Sequence, residues 1–366
     1  MAKRARALAG LALSAVAAGF WNDRRVLLTG HTGFKGAWLA AWLSTLGARV
    51  HGIALPPETT PNLFSCLGEL PGLTSQFGDI RDAAALDEAI ARAAPQIVIH
   101  MAAQALVRRS YRDPVETFDT NLLGTVRLLE ALRAAPDLAA VLVVTSDKVY
   151  ENPGTGVPLA ESDPLGGSDP YSASKATVEI ATASYARSFF AARGVAVATA
   201  RAGNVIGGGD WSEDRIIPDI WRTLRAGQPV ALRYPEATRP WQHVLEPLGG
   251  YLAYTAALAT RPEALPRALN FGPDTAEVVT VAGVVDRFQA AYGVAQGWCR
   301  SPGDHPKEAP LLAVDASLAR RSLAWRPRLD ATVAVGWTAD WYRAFDAGAS
   351  AAELTFQQIK RFQELP

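Results

Sequence analysis

Short apolar runs alternate with longer stretches of helical periodicity from Val26 to Ala200. Val26-Leu27-Leu28 ends in Thr29-Gly30-His31-Thr32-Gly33-Phe34-Lys35-Gly36, after which Trp38, Leu39, Trp42, Leu43 and Leu46 recur at helical spacing, so strand, tight turn and helix follow in order. Residues 48–55 read as a second strand, 83–94 as a helix, 97–100 as a buried strand, 114–134 as a long helix and 141–145 as the next strand. A helix over 172–192 and a strand over 195–200 complete the run. This alternation predicts an α/β fold of Rossmann type, a doubly wound parallel sheet whose ligands bind at its carboxyl edge. Beyond Arg201 the pattern breaks into Gly207-Gly208-Gly209, several prolines and scattered arginines, which predicts a smaller, interleaved substrate-binding lobe folded over that edge. No internal repeat or low-complexity linker is found between the two.

Composition adds mainly exclusions. With 366 residues, 49% of them hydrophobic, and 36 basic against 36 acidic side chains, nothing favours nucleic acid or an anionic membrane surface as partner. Cys66 and Cys299 are too few and too far apart for a disulfide framework; they read as packing residues in a protein of a reducing compartment. His31, His51, His100, His243 and His305 lack the spacing of zinc ligands, so no metal is expected. Lys3, Arg4 and Arg6 ahead of an apolar run from Ala7 to Phe20 imitate a secretory signal, although the run is alanine-rich and too short to span a bilayer. A docked helix or an upstream-extended start explains it equally well.

Chemistry concentrates at three places. In the first turn, Gly30 permits the bend, Gly33 admits a pyrophosphate to the backbone, and Gly36 allows helix–strand contact, while the helix amino end supplies free N–H groups. The carboxylate that would bind an adenosine ribose after strand two is missing, Ala54-Leu55-Pro56 standing there, so this region does not choose between NAD and NADP. Asp79, in Gly78-Asp79-Ile80, could reach an adenine or could cap the following helix. The second place is Ser146-Asp147-Lys148. The third is Tyr171-Ser172-Ala173-Ser174-Lys175, whose tyrosine and lysine share one helix face. Nine tyrosines and six lysines in the chain give about 0.15 such pairs by chance, so the combination carries the argument. To act as a base, a tyrosine pKa must fall by roughly 3, about 4 kcal/mol, which nearby positive charge from Lys175 and an oxidised nicotinamide would supply. Three of the six lysines, Lys35, Lys148 and Lys175, lie in these motifs.

These stretches resemble the extended short-chain dehydrogenase/reductases that act on nucleotide sugars, most closely their CDP-glucose 4,6-dehydratase branch. The likeness runs from about Phe20 to the carboxyl end. It includes Thr145 to Lys148, His100-Met101-Ala102-Ala103-Gln104, Asn121, Ala202 to Trp211, Arg239-Pro240-Trp241-Gln242-His243-Val244, Trp325 to Leu329 and Trp341-Tyr342. The resemblance implies NAD as cofactor, held by Gly30, Thr32, Gly33, Phe34, Lys35, Gly36, Asp79, Ile80, Ala102, Ala103, Gln104, Tyr171 and Lys175. It implies a nucleotide-sugar substrate, CDP-glucose favoured, held by Gln104, Ser146, Asn204, Arg233, Arg239 and His243. Tyr171 would take the proton of the sugar 4-hydroxyl with Lys175 lowering its pKa and Ser146 bonding the same oxygen. Asp147 would protonate the departing 6-hydroxyl. Lys148 stands where dTDP-glucose dehydratases carry a glutamate base, and its part, proton acceptor or electrostatic stabiliser, stays open beside a plain salt bridge to Asp147 or Glu151.

On the same grounds 1–20 is an amino-terminal extension, and 21–200 is the NAD-binding domain, joined by a returning segment near 241–262. Residues 201–366 are mainly substrate lobe and carboxyl-terminal helices. A homodimer through the helices at 114–134 and 172–192, a cytoplasmic location and a part in deoxysugar or lipopolysaccharide precursor synthesis are also implied. A 4-epimerase or another sugar dehydratase would share everything except the Asp147-Lys148 step. A non-catalytic NAD(P)-binding regulatory module would have kept the fold without the chemistry.

Overall fold

The computed structural model describes residues 17–274, 279–303 and 312–366. Most of the amino-terminal apolar run, and His305, lie outside them. The sheet has seven parallel strands. β1 (Arg25–Thr29) leads through helix α1 (Phe34–Thr45) to β2 (Arg49–Ala54), and β3 (Leu73–Phe77) follows at the edge. Helix α2 (Ala83–Ala93) returns the chain to β4 (Ile97–His100). Helices α3 (Pro114–Phe118) and α4 (Gly124–Ala131), continuous through a π-helical turn at Asp119–Leu123, lead to β5 (Ala140–Val144). Helix α5 (Pro170–Tyr185) connects β5 to β6 (Ala196–Ala202). The last strand, β7 (Ala268–Phe271), arrives after helices α6 (Ile216–Arg225) and α7 (Leu245–Thr260) and pairs with β6, giving the order β7-β6-β5-β4-β1-β2-β3.

Alternation along the strands divides the core. Val26, Leu28, Ile97, Ile99 and Leu142 face one layer, with Trp38, Leu39 and Trp42 of α1 and Leu248, Tyr251 and Leu252 of α7. Leu27, Val98, Val141 and Val143 face the other, with Leu86 of α2, Leu128 and Leu129 of α4 and Val178 of α5. Both faces are therefore covered, as a parallel sheet requires. Helices α8 (Ala331–Asp346) and α9 (Ala351–Gln363) pack over α1 and the substrate lobe, and the Gly208 position is filled by the Trp341 ring, which a Cβ there would meet at 2.0 Å. Among the described residues no helix is long and apolar enough to cross a membrane. Cys66 is half-buried against the core, but Cys299 is exposed on a short outer strand, so it is not the packing residue expected.

Candidate active site

The carboxyl ends of β1, β2, β4, β5 and β6 open into one cavity of about 1440 Å³, larger than the 300–1,000 Å³ typical of a single small ligand. Thr29 organises its floor. The Thr29 Oγ1 lies 2.7 Å from His100 Nδ1 and accepts the N–H groups of Met101 (3.1 Å) and Ala102 (3.0 Å), while His100 Nε2 lies 2.9 Å from Thr125 Oγ1. Burial pushes His100 down to about 3, so the ring is neutral and serves to hold the two strand ends together.

The glycine turn fits a dinucleotide. Gly30 has φ +78°, and a Cβ on Gly36 would lie 2.0 Å from Gly30 O, so these two glycines set the turn and its packing. At Gly33 a Cβ would meet only Gly30 O, at 3.5 Å, and no side chain caps the first turn of α1; its N–H groups are left for a diphosphate. Thr32 donates to Leu55 O at 2.8 Å, and Phe34, Ile80, Ala102 and Ala103 line the same cavity. Asp79 lines it as well, held below the usual carboxylate range by hydrogen bonds from Arg81, whose Nη2 stands 2.6 Å away. It does not cap α2; Asp82 does, accepting from Ala84 at 2.9 Å. Lys35 donates to Tyr251 Oη at 3.1 Å and is pushed down to about 7, first by burial and then by Arg215 and Lys175.

Asp169 caps α5 by accepting the Ser172 N–H at 2.9 Å, and this brings Tyr171 and Lys175 inward on one buried face. The Tyr171 backbone is pinned by Ser110 Oγ (3.1 Å) and Ser174 Oγ (2.7 Å). Lys175 Nζ donates to Val144 O at 3.2 Å and is lowered to about 8 by burial, opposed by Glu179 one turn on. Glu179 is itself fixed by the buried Arg201 (2.8 Å), by Thr199 (2.6 Å) and by Thr145. Burial raises the Tyr171 pKa, opposed first by the charge of Lys148, then by a bond with Ser146 and by the charge of Arg215.

Beside it, Asp147 is fully buried. Its Oδ1 accepts from Lys148 Nζ at 3.0 Å and from Ser146 Oγ at 3.1 Å, while Oδ2 has no partner and faces Gly203. Lys148 also donates to Asn204 Oδ1 at 3.2 Å. Arg233 and Arg239 line the far side of the cavity, Arg239 donating to Thr238 O at 2.8 Å. Gln104 lines it too, but its side-chain amide is engaged by Leu106 (2.6 and 3.1 Å) and Thr117 (3.0 Å), so it shapes the wall.

His243 is not in the site. It is fully buried between the rings of Trp38 and Trp337, 5.8 and 5.7 Å away, and burial drives it down to about 3; it belongs to the core under α1. Arg215, which sequence reasoning passed over, enters the cavity at the head of α6, 3.3 Å from Asp210 and close enough to act on both Lys35 and Tyr171. Its signal was its place four residues beyond the Ala202 to Trp211 stretch. Among the described residues no cluster of metal-ligating side chains occurs.

Residues 26–266 match the NAD dependent epimerase/dehydratase family. The CDP-glucose 4,6-dehydratase of Salmonella typhimurium is 44% identical over 334 residues, 90% of this chain and 93% of its own. Among solved structures, MoeE5 in complex with UDP-glucuronic acid and NAD superposes with a TM-score of 0.74 at 25% identity, covering 88% of this chain and 100% of the other. The epimerase Mth375 of Methanothermobacter thermautotrophicus superposes with a TM-score of 0.81 at 20% identity, over 96% and 98%.

Proposed function

The chain belongs to the NAD dependent epimerase/dehydratase family, and from that premise we propose that it is a lyase converting CDP-glucose to CDP-4-keto-6-deoxyglucose, with NAD as cofactor. The observation that carries dehydration, beyond the redox chemistry common to relatives, is the Asp147–Lys148 pair at 3.0 Å inside the cavity of Tyr171 and Lys175. The first turn of α1 would hold the NAD diphosphate and Lys175 its ribose, and the bound cofactor would supply reversible hydride chemistry between C4 and C6. Tyr171 Oη, as phenolate, receives the 4-hydroxyl proton, and the resulting ketone acidifies C5–H. Moving one proton across the 3.0 Å contact turns the Asp147–Lys148 ion pair into a carboxylic acid and a neutral amine. Lys148 Nζ then takes the C5 proton while Asp147 protonates the departing 6-hydroxyl, and Lys148, partly exposed and so carrying solvent-derived protons, delivers one of them to C5 at the end. Arg233, Arg239 and Arg215 suit the substrate diphosphate through their planar forks.

The test is incubation with CDP-glucose in deuterated water. Dehydration places solvent deuterium at C5 of a 4-keto-6-deoxy product, whereas a 4-epimerase gives an unlabelled isomer, and that result would overturn the assignment. We assign the enzyme to the cytoplasm, where two free cysteines stay reduced, and to deoxysugar precursor synthesis of the kind that supplies lipopolysaccharide; export of the intact chain would contradict the location. The exposed Val115, Leu123 and Ile180 on the adjoining helices α3 to α5 suit a homodimer face.

A further inference from the structure

The segment Ser146-Asp147-Lys148 is gripped at both ends by a pair of buried charges that the proposed chemistry does not use. Glu179 on α5 and Arg201 on β6 form an ion pair in which each side chain is only 4% exposed. The Glu179 carboxylate accepts four hydrogen bonds: from Arg201 Nε at 2.9 Å and Nη2 at 2.8 Å, from Thr199 Oγ1 at 2.6 Å, and from Thr145 Oγ1. Thr145 immediately precedes Ser146. At the other end, Arg201 Nη1 donates to the Tyr150 hydroxyl at 2.8 Å, two residues beyond Lys148, and that hydroxyl donates to Asn270 Oδ1 on β7 at 2.6 Å. Between these grips Asp147–Val149 is one short 3-10 turn, which has little stiffness of its own. Glu179 also lies one helical turn beyond Lys175, on the face of α5 that carries Tyr171. The helix bearing the tyrosine and lysine and the strand end bearing the acid–base pair therefore meet at one carboxylate.

We infer that Glu179 and Arg201 are positioning residues for the elimination half of the reaction, an inference that rests on the dehydratase reading. Through Thr145 and Tyr150 they hold Asp147 and Lys148 in register with Tyr171 and Lys175. A buried ion pair adds little net stability over apolar side chains of the same volume, because desolvation offsets most of the attraction. What it supplies is direction: the planar guanidinium meets the carboxylate through two parallel bonds, and the remaining lone pairs are taken by two threonines, so neither charge can turn. Elimination needs that fixity. Acid and base must address C6 and C5 of one sugar while C4 stays against Tyr171, and a displacement of about 1 Å can cost about a hundredfold in rate.

Thr145→Val and Tyr150→Phe each remove one grip and leave the ion pair in place, whereas Thr199→Val removes a hydroxyl from the same carboxylate without touching the segment. In the NAD-loaded enzyme acting on CDP-glucose, the first two variants should lose at least about tenfold in kcat with KM kept within about twofold of wild type. Elimination should slow more than oxidation, so reduced cofactor should build up during turnover and be seen by its absorbance. Thr199→Val should match wild type in both readouts, and Thr145→Ser, which keeps the hydroxyl, should restore them. Wild-type kcat in Thr145→Val and Tyr150→Phe, a loss of kcat without reduced cofactor, or an equal loss in Thr199→Val would overturn the inference. Should Thr145→Val not fold, Tyr150→Phe decides by the same two readouts. A wild type that forms no 4-keto-6-deoxy product would overturn the reaction assignment and the inference with it; a dehydrating wild type with unaffected variants overturns the inference alone.

Discussion

Glu246 illustrates how far burial moves a single carboxyl. It is fully buried in the first turn of α7, its Oε1 accepts the backbone N–H groups of Arg328 (2.8 Å) and Leu329 (2.7 Å), and its Oε2 has no partner. Burial raises its pKa from 4.5 to about 7, against those two bonds. An acid raised in the folded state favours folding in its protonated form, so stability falls as pH climbs from about 4.5 to about 7 and stays lower above that. The full difference is about 3 kcal/mol. Glu246→Gln, which keeps the accepting oxygen, should therefore unfold at higher denaturant than wild type above about pH 7 and lose its advantage below about pH 5; equal midpoints at both values would refute the raised pKa. At this scale the sequence was an uneven guide. Tyr171, Lys175, Ser146, Asp147 and Lys148 lie in local motifs, and five of five line one cavity. His243 also lies in a motif, yet its ring packs between Trp38 and Trp337, a fact of distant helices that no local pattern carries.

The glycine turn between β1 and α1 separates folding from binding within one element. A Cβ at Gly36 would press on Gly30 O and, at 2.8 Å, on His31 Cα, both backbone atoms that cannot move aside. Gly36→Ala should cost about 1–3 kcal/mol of stability as well as NAD affinity. Gly33→Ala meets no such contact and has an ordinary φ of −73°, so it should leave the thermal midpoint in place while weakening NAD binding at least about tenfold, read by calorimetric titration. Loss of stability in both variants, or in neither, would contradict this division. Elements with apolar periodicity and turn chemistry were readable, including the helix over 114–134. β3 was not, because as an edge strand it is half-exposed and reads Leu-Thr-Ser-Gln-Phe; nor was β7, four residues long, which is a strand only because β6 lies beside it.

At the scale of the molecule, the exposed apolar side chains on helices α3 to α5 predict the assembly. Leu123 is 45% and Ile180 59% exposed on neighbouring helices. Leu123→Asp with Ile180→Asp should convert a dimer to monomers in light scattering while single-chain secondary structure is kept; a monomeric wild type would refute the face. Taken alone, the chain determined the alternation of strands and helices, the glycine turn between β1 and α1, and the motifs that carry Ser146, Asp147, Lys148, Tyr171 and Lys175 to one cavity, because each depends on spacing within a few residues. Only the tertiary structure decided that Lys148 is ion-paired with Asp147 and bonded to Asn204, that Arg215 lines the cavity beside them, and that His243 does not. Those outcomes depend on burial and on distances between segments far apart in the chain, and electrostatic interactions change with dielectric and separation in ways local sequence does not encode.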